Sequence, residues 1–219
     1  PNAQGFKLAH NDMTIVAVGG DGDGYGIGVG HLIHAMRRNI DMTDIVMNNS
    51  IYGLTTGQTS PTSNEGMKTK STPFGNPEAP LNPIAMALGS GASFVARAFS
   101  GNPKQAVEIY KAAIQHKGFA LVDTFSPCVT FNKVNTAQFY RDNTYDLAAE
   151  GHDKADLEAA FTVATRDTYA SGRIATGIFY QNTRPCYEEG EKDTLAIPIC
   201  DHELGISAAR AEELKDGFK

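Results

Sequence analysis

Two short motifs carry the chemistry of this 219-residue chain: Gly20-Asp21-Gly22 and, past the intervening residues 23–47, Asn48-Asn49. Glycines beside a carboxylate let backbone approach an anion closely. Asp21 would itself repel a phosphate, so the pattern makes sense with a hard cation between the two. Mg²⁺ takes near-octahedral oxygen ligands and is usually held by one or two protein groups plus phosphate oxygens. Asp21 and the Asn49 amide oxygen meet that demand if the strands ahead of them are neighbours in a parallel sheet, because α/β sheets bind ligands at the carboxyl ends of their strands. Nucleotide loops fit less well. The G-x-G-x-x-G registers starting at Gly20, Gly22, Gly24 and Gly26 put Tyr25, Ile27, Val29 and His31 where the third glycine would fall, and no Gly-Lys-Ser/Thr is present for a Walker A loop.

The elements that must position these motifs follow from the apolar pattern. Residues 13–18 predict a buried strand, 25–38 a helix, and 45–47 a second strand. Residues 50–82 are rich in Gly, Pro, Ser, Thr and Asn without a helical period, the composition of a long functional loop beside a site. A short helix is expected over 84–88 and a strand over 94–98. Asn102 and Pro103 read as the N-cap and first residue of a helix running to 116, with Val107, Tyr110, Ala113 and Ile114 on its apolar side. Gly118 ends it, and a strand is expected over 119–125. Alternating strand and helix implies a parallel sheet with right-handed crossovers. Beyond residue 135 two polar helical stretches, 136–149 and 153–170, precede a short strand over 176–180 and a charged tail. Residues 1–9 read as a helix leading into the first strand.

Composition bounds the class. Hydrophobic residues make up 41% and charged residues 20%, the balance of an ordinary globular chain with no apolar run of membrane-spanning length. A net charge of −6 argues against nucleic acid as the partner. Cys128, Cys186 and Cys200 are odd in number and lack CxxC spacing, which favours a reducing cytoplasm over a disulfide scaffold. The six histidines, His202 among them, show no metal spacing; His31 and His34, one helical turn apart, and Arg37-Arg38 read as surface or packing residues.

From Gly19 the chain reads GGDGDGYGIGVGHLIHAMRRNIDMTDIVMNNSIYGLTTGQTSPTS. The Gly-Asp-Gly and Asn-Asn pair resembles the thiamine diphosphate signature. The longer run is similar to the β subunit of 2-oxoacid:ferredoxin oxidoreductases, whose members share GDGD, HAxRRN, NNxIYGLTxGQxSPT and SPC. These fall here at residues 20–23, 34–39, 48–62 and 126–128, and the similarity extends over residues 1–190. The resemblance implies an α/β, thiamine diphosphate-binding fold over residues 1–135, with a parallel sheet flanked by helices, and a carboxyl-terminal helical extension over 136–219. It further implies Asp21, Asn49 and the Ile51 carbonyl as Mg²⁺ ligands. Gly22, Asp23, Gly53 and Leu54 would lie against the diphosphate. Cys128 would be the fourth thiolate of a [4Fe–4S] cluster whose other ligands lie nearer the amino terminus in family members. Neither Cys186 nor Cys200 matches a family ligand, so this chain alone would not complete the cluster. Because residues 1–9 correspond to a segment well inside the family's subunit, the chain is expected to be an amino-terminally incomplete piece; the alternative is a native start after removal of Met.

The activity implied by the resemblance is CoA-dependent oxidative decarboxylation of a 2-oxoacid, with an α subunit and ferredoxin as partners. The cofactor carries the difficult step, and the glutamate that activates it comes from the partner subunit in the family, so no acid–base residue is assigned here. Residues 126–135 and 177–189 look most like subunits assigned to 2-oxoglutarate, with succinyl-CoA and CO₂ as products. Pyruvate or a branched-chain acid is the alternative substrate. Thr56 stands where some relatives carry a lysine for the substrate carboxylate, which leaves that clamp unassigned. Two rivals from other classes are a non-redox thiamine diphosphate lyase or carboligase and a folded, non-catalytic remnant.

Overall fold

A computed structural model describes residues 1–201 and 205–217; His202 lies outside the described residues. The chain opens with α1 (Asn2–Ala9) and β1 (Val16–Gly20), followed by a π-helical turn (Gly22–Ile27) that runs into α2 (Val29–Arg38). Then come β2 (Met42–Asn48), α3 (Pro83–Gly89), β3 (Phe94–Phe99), α4 (Pro103–Gln115) and β4 (Phe119–Phe125). The carboxyl-terminal part adds α5 (Ala137–Asn143), β5 (Thr144–Asp146), α6 (Leu157–Arg166), β6 (Ile174–Gln181), α7 (Tyr187–Gly190) and α8 (Ala208–Asp216). The sheet order is β1-β2-β4-β3-β6-β5. No helix among the described residues is long and apolar enough to cross a membrane.

The first four strands of that order are parallel, as the alternating pattern implies, but β6 runs antiparallel to β3. The sheet is therefore mixed. The carboxyl-terminal part supplies helices, the strand expected over 176–180, which is β6, and one strand not expected: Thr144-Tyr145-Asp146, inside a stretch read as helical, pairs in parallel with β6. Leu32, Met36, Ile84, Leu88, Ala160 and Leu121 form the main core on one face of the sheet. On the other face α4 packs against β3 and β4 through Ala106, Ile109 and Ala113. Val107 and Ile114, expected on that side, are exposed. The reason is helical phase: Ala106, Ile109 and Ala113 at three- and four-residue spacing form the buried stripe, over Ala96, Ala98 and Ala120, and Val107 and Ile114 each lie one residue round the helix from it.

Several boundaries move for identifiable reasons. The first strand is not residues 13–18 but Val16–Gly20, because Gly19 and Gly20 continue the ladder opposite Val46 and Met47. It is also not buried: β1 is an outer strand of the sheet, and Val18 is 65% exposed. The helix expected from residue 25 begins at Gly22 as a π turn, a form that recurs at functional sites. Gly28 closes that turn, its N–H donating to the Asp23 carbonyl at 2.7 Å. A Cβ there would stand 2.4 Å from the same oxygen, so no other residue fits. α2 ends at Asn39, which takes the left-handed conformation at φ 55° favoured by asparagine after a helix. Its buried side chain accepts from Ser93 Oγ and the Phe119 N–H, tying the helix end to β3 and β4. At α4 the Asn102 side chain accepts from the Gln105 N–H and Pro103 opens the helix, as expected.

One carboxylate works against the fold. The Asp44 side chain, on β2, has no ion pair or hydrogen bond among the described residues, and burial pushes its carboxyl up to about 6. The folded-state value lies above the unfolded one, so the folded chain holds the proton longer and loses stability as pH rises through the window from about 4 to 6. Asp44→Asn is expected to raise stability at pH 8 by on the order of 2 kcal/mol and to have little effect near pH 4. Urea melts of both proteins at the two pH values test this; an identical difference at both would refute it.

Candidate metal and diphosphate site

The parallel pairing of β1 with β2 sets Gly20 opposite Met47, so Asp21 and Asn48-Asn49 emerge side by side at the carboxyl ends of adjacent strands. Asp21 is 2% exposed. Its Oδ2 accepts hydrogen bonds from the hydroxyls of Ser60 and Thr62, the latter at 2.8 Å. Its Oδ1 receives only a long contact from the Asn49 N–H, 3.4 Å. Burial raises the Asp21 carboxyl above its ordinary value, and these donors offset part of that rise. One oxygen is therefore saturated, while the other has capacity for a cation.

The Asn49 side chain folds back so that its Oδ1 accepts from the Ile51 N–H at 3.1 Å, which leaves a lone pair free. The Asn49 carbonyl is held by the Asn132 amide at 3.0 Å. Between them Ser50 adopts φ 55°, a left-handed backbone in a residue other than glycine, which marks a turn whose surroundings enforce it. The Ser63 hydroxyl supports it by donating to the Ser50 carbonyl at 2.7 Å. The Ile51 carbonyl accepts no hydrogen bond among the described residues. One carboxylate, one amide oxygen and one free carbonyl are a donor set suited to Mg²⁺ that shares its remaining positions with phosphate. The described residues contain no group of three or more His, Cys, Asp or Glu poised for a metal, so any cation here depends on the mixed set.

The other expected residues divide. Gly22 is buried against Tyr52, whose ring would stand 2.1 Å from a Cβ at that position. The glycine is thus required by a protein side chain. Asp23 turns its carboxylate back onto the Gly20 N–H at 2.8 Å, closing the loop at the end of β1. Gly53 lies close to Cys128, with 3.6 Å between its built Cβ and the Sγ. Leu54 is 99% exposed. The structure therefore brings together Asp21, Asn49 and Ile51, and places Gly53 with Cys128 beside them, while Leu54 makes no contact that fixes it. For Cys128, burial raises the thiol, but the backbone N–H groups of Phe131, Thr130 and Asn132 and the Lys133 charge outweigh it and leave the pKa below the ordinary value. That environment suits a thiolate ligand. Cys186 is buried, and Cys200 is exposed and contacts His10, 3.3 Å from Sγ to Nδ1.

Sequence reasoning assigned no role to the groups behind the site. Asn48 donates through Nδ2 to Asp123 Oδ1 at 2.9 Å, which orients its Oδ1 toward Thr62 Oγ1, 2.8 Å away. Asp123 also accepts from the Tyr25 hydroxyl at 3.1 Å and from Arg97 Nε at 3.0 Å. Arg97 and Asp123 are direct partners in the β3–β4 register. A buried polar row thus crosses three strands and ends on the carboxylate at the end of β1. Ser60 and Thr62 lie in the GQxSPT segment, the signal that could have pointed to them; nothing in the pattern around Arg97 or Asp123 could have.

Residues 1–124 match the family described as thiamine pyrophosphate enzyme, C-terminal TPP binding domain. Residues 128–194 match the family described as the C-terminal part of the pyruvate ferredoxin oxidoreductase beta chain. The chain is 44% identical over 195 residues to the beta subunit of 2-oxoacid:ferredoxin oxidoreductase 1 from Aeropyrum pernix, covering 85% of this chain and 61% of that one. It is 50% identical over 130 residues to the 2-oxoglutarate oxidoreductase subunit KorB of Mycobacterium tuberculosis, covering 59% and 35%. The chain thus spans about three-fifths of the Aeropyrum relative's length. A solved structure of 2-oxoglutarate:ferredoxin oxidoreductase from Magnetococcus marinus, with 2-oxoglutarate, coenzyme A and succinyl-CoA bound, superposes with a TM-score of 0.86 at 41% identity, covering 97% of this chain and 71% of that one. With a thiamine diphosphate family model over more than half its length and these relatives over most of it, the chain belongs to the 2-oxoacid:ferredoxin oxidoreductase beta-subunit family.

Proposed function

We propose that this chain is the thiamine diphosphate-binding subunit of a 2-oxoglutarate:ferredoxin oxidoreductase. Thiamine diphosphate, when bound, supplies the carbanion-stabilising chemistry that lets a 2-oxoacid lose CO₂. In the overall reaction the C1–C2 bond of 2-oxoglutarate breaks, CO₂ leaves, a thioester forms with coenzyme A, and two electrons pass to ferredoxin. The observation that carries the reading is the half-satisfied Asp21 carboxylate, whose Oδ1 has only the long Asn49 N–H contact, at the start of the turn that holds Asn49 and Ile51.

In this reading Asp21, Asn49 and Ile51 hold Mg²⁺, which holds the diphosphate. Gly22, Asp23, Gly53 and Leu54 form the adjoining loop wall, with Tyr52 rather than the cofactor taking the space that Gly22 leaves. Cys128 would contribute one thiolate to a [4Fe–4S] cluster. The substrate assignment draws on the KorB relatives and on the Magnetococcus structure; the family matched by residues 128–194 is described for pyruvate, which is the competing substrate. An α subunit and ferredoxin as partners and a cytoplasmic setting complete the proposal. The non-redox lyase reading has no specific observation in its favour.

Two measurements test it. Calorimetric titration of Mg²⁺–thiamine diphosphate into the full assembly should show binding that Asp21→Ala abolishes. Undiminished binding by Asp21→Ala would remove the metal assignment. Ferredoxin reduction should proceed with 2-oxoglutarate and coenzyme A at a kcat/KM at least about a hundredfold above pyruvate, since pyruvate lacks the second carboxylate a dedicated site would pair. The reverse preference would overturn the substrate.

A further inference from the structure

A cavity of about 260 Å³ lies between the start of α3, β3, the end of β4 and the connection from α6 to β6. Leu81, Pro83, Phe125, Ala164 and Ile174 make its wall mostly apolar, and Arg97 lines it. Arg97 is 6% exposed. Its Nε donates to Asp123 at 3.0 Å, and its guanidinium carbon stands 4.9 Å from the centre of the Phe125 ring and 5.6 Å from that of Phe179. A guanidinium carries five N–H donors, and the four on the two Nη atoms have no hydrogen-bond acceptor among the described residues. Neither Nη atom is sealed from solvent without a partner, so these donors are open to a ligand that enters the cavity.

The surrounding carboxylates do not supply one. Asp123 is shared by Arg97 Nε, Tyr25 and Asn48. Asp167, also in the wall, is engaged by the Arg166 guanidinium and the Tyr145 hydroxyl. What is left open is a planar fork of donors facing a small apolar space. A carboxylate matches that fork with two parallel hydrogen bonds. A phosphate would bring more charge than one guanidinium balances and would set charged oxygens against Leu81 and Ile174, although Asn82, Thr168 and Tyr169 add polar atoms to the wall. The volume falls below the roughly 300–1,000 Å³ of sites for drug-sized ligands, which limits the occupant to a short chain.

We propose that this cavity is a binding site for a small carboxylate with a short apolar chain, held through the Arg97 Nη donors. The site is separate from the metal site, which uses the opposite end of the Asn48–Asp123 row, and it does not depend on the cofactor reading.

Butyrate is the probe, titrated by calorimetry into the full chain in its native assembly without thiamine diphosphate, beside butyramide as the uncharged analogue. Saturable butyrate binding is expected, with butyramide at least about tenfold weaker because the charge-assisted pair is lost. Arg97→Gln removes the donors and should abolish binding. Ala170→Trp should also abolish it by filling the exposed mouth of the cavity while leaving the Arg97–Asp123 pair in place, so its loss of binding is not a consequence of a damaged core. Circular dichroism of both variants confirms the fold. Equal binding of butyrate and butyramide, full binding by a folded Ala170→Trp, or no saturable binding at all would each overturn the proposal, the last leaving the cavity to water.

Discussion

Asp21 is a carboxylate taken out of water at the end of β1 with hydroxyl and amide donors around it but no cationic side chain of its own among the described residues. Moving a charge into such a place is expensive unless hydrogen bonds and an opposite charge compensate. Much of the neighbouring architecture serves that one group. The long loop brings Ser60 and Thr62 to it, the strained Ser50 turn brings Asn49, and β2 brings Asn48, which disciplines Thr62. The opposite charge is what the proposed Mg²⁺ would supply.

The buried row from Arg97 through Asp123 to Asn48 extends the same logic into the sheet. An ion pair in a core seldom adds net stability over apolar packing, because both partners lose their hydration. Its place in the register, directly across β3 and β4, and its continuation to Thr62 give it geometric value instead. Each member can satisfy its neighbour in only one orientation, so amide and hydroxyl positions several strands away become mutually dependent.

How much of this could be read from the chain depended on whether the signal was local. The glycine–carboxylate and Asn-Asn motifs were legible because strand ends and their loops are contiguous in sequence, and the parallel pairing that joins them is the default for alternating strands and helices. Asn102-Pro103 was legible for the same reason: caps are local. The antiparallel β6 was not, because strand direction is set by a connection through α5, β5 and α6 whose path no periodicity encodes. The exposure of β1 was equally hidden, since an apolar run reports a strand and not what covers it. Asp123 and Arg97 sit in strands that read as ordinary core, and only the register makes them partners. Gly22 was legible as a necessary glycine, and the Tyr52 ring supplies one reason that no local pattern encodes.

Thr62 faces two acceptors, Asp21 Oδ2 and Asn48 Oδ1, each 2.8 Å from its single hydroxyl. One proton cannot lie along both lines, so at any instant one of those close approaches is oxygen against oxygen. The base of the 50–82 loop is thus closed over the strand ends by a contact that is frustrated by its proton count and not by its shape. Drawing negative charge off Asp21 removes the competition, and the same hydroxyl can then serve Asn48 alone. Occupancy at the open carboxylate oxygen is in this way written into how comfortably a whole loop rests on the sheet.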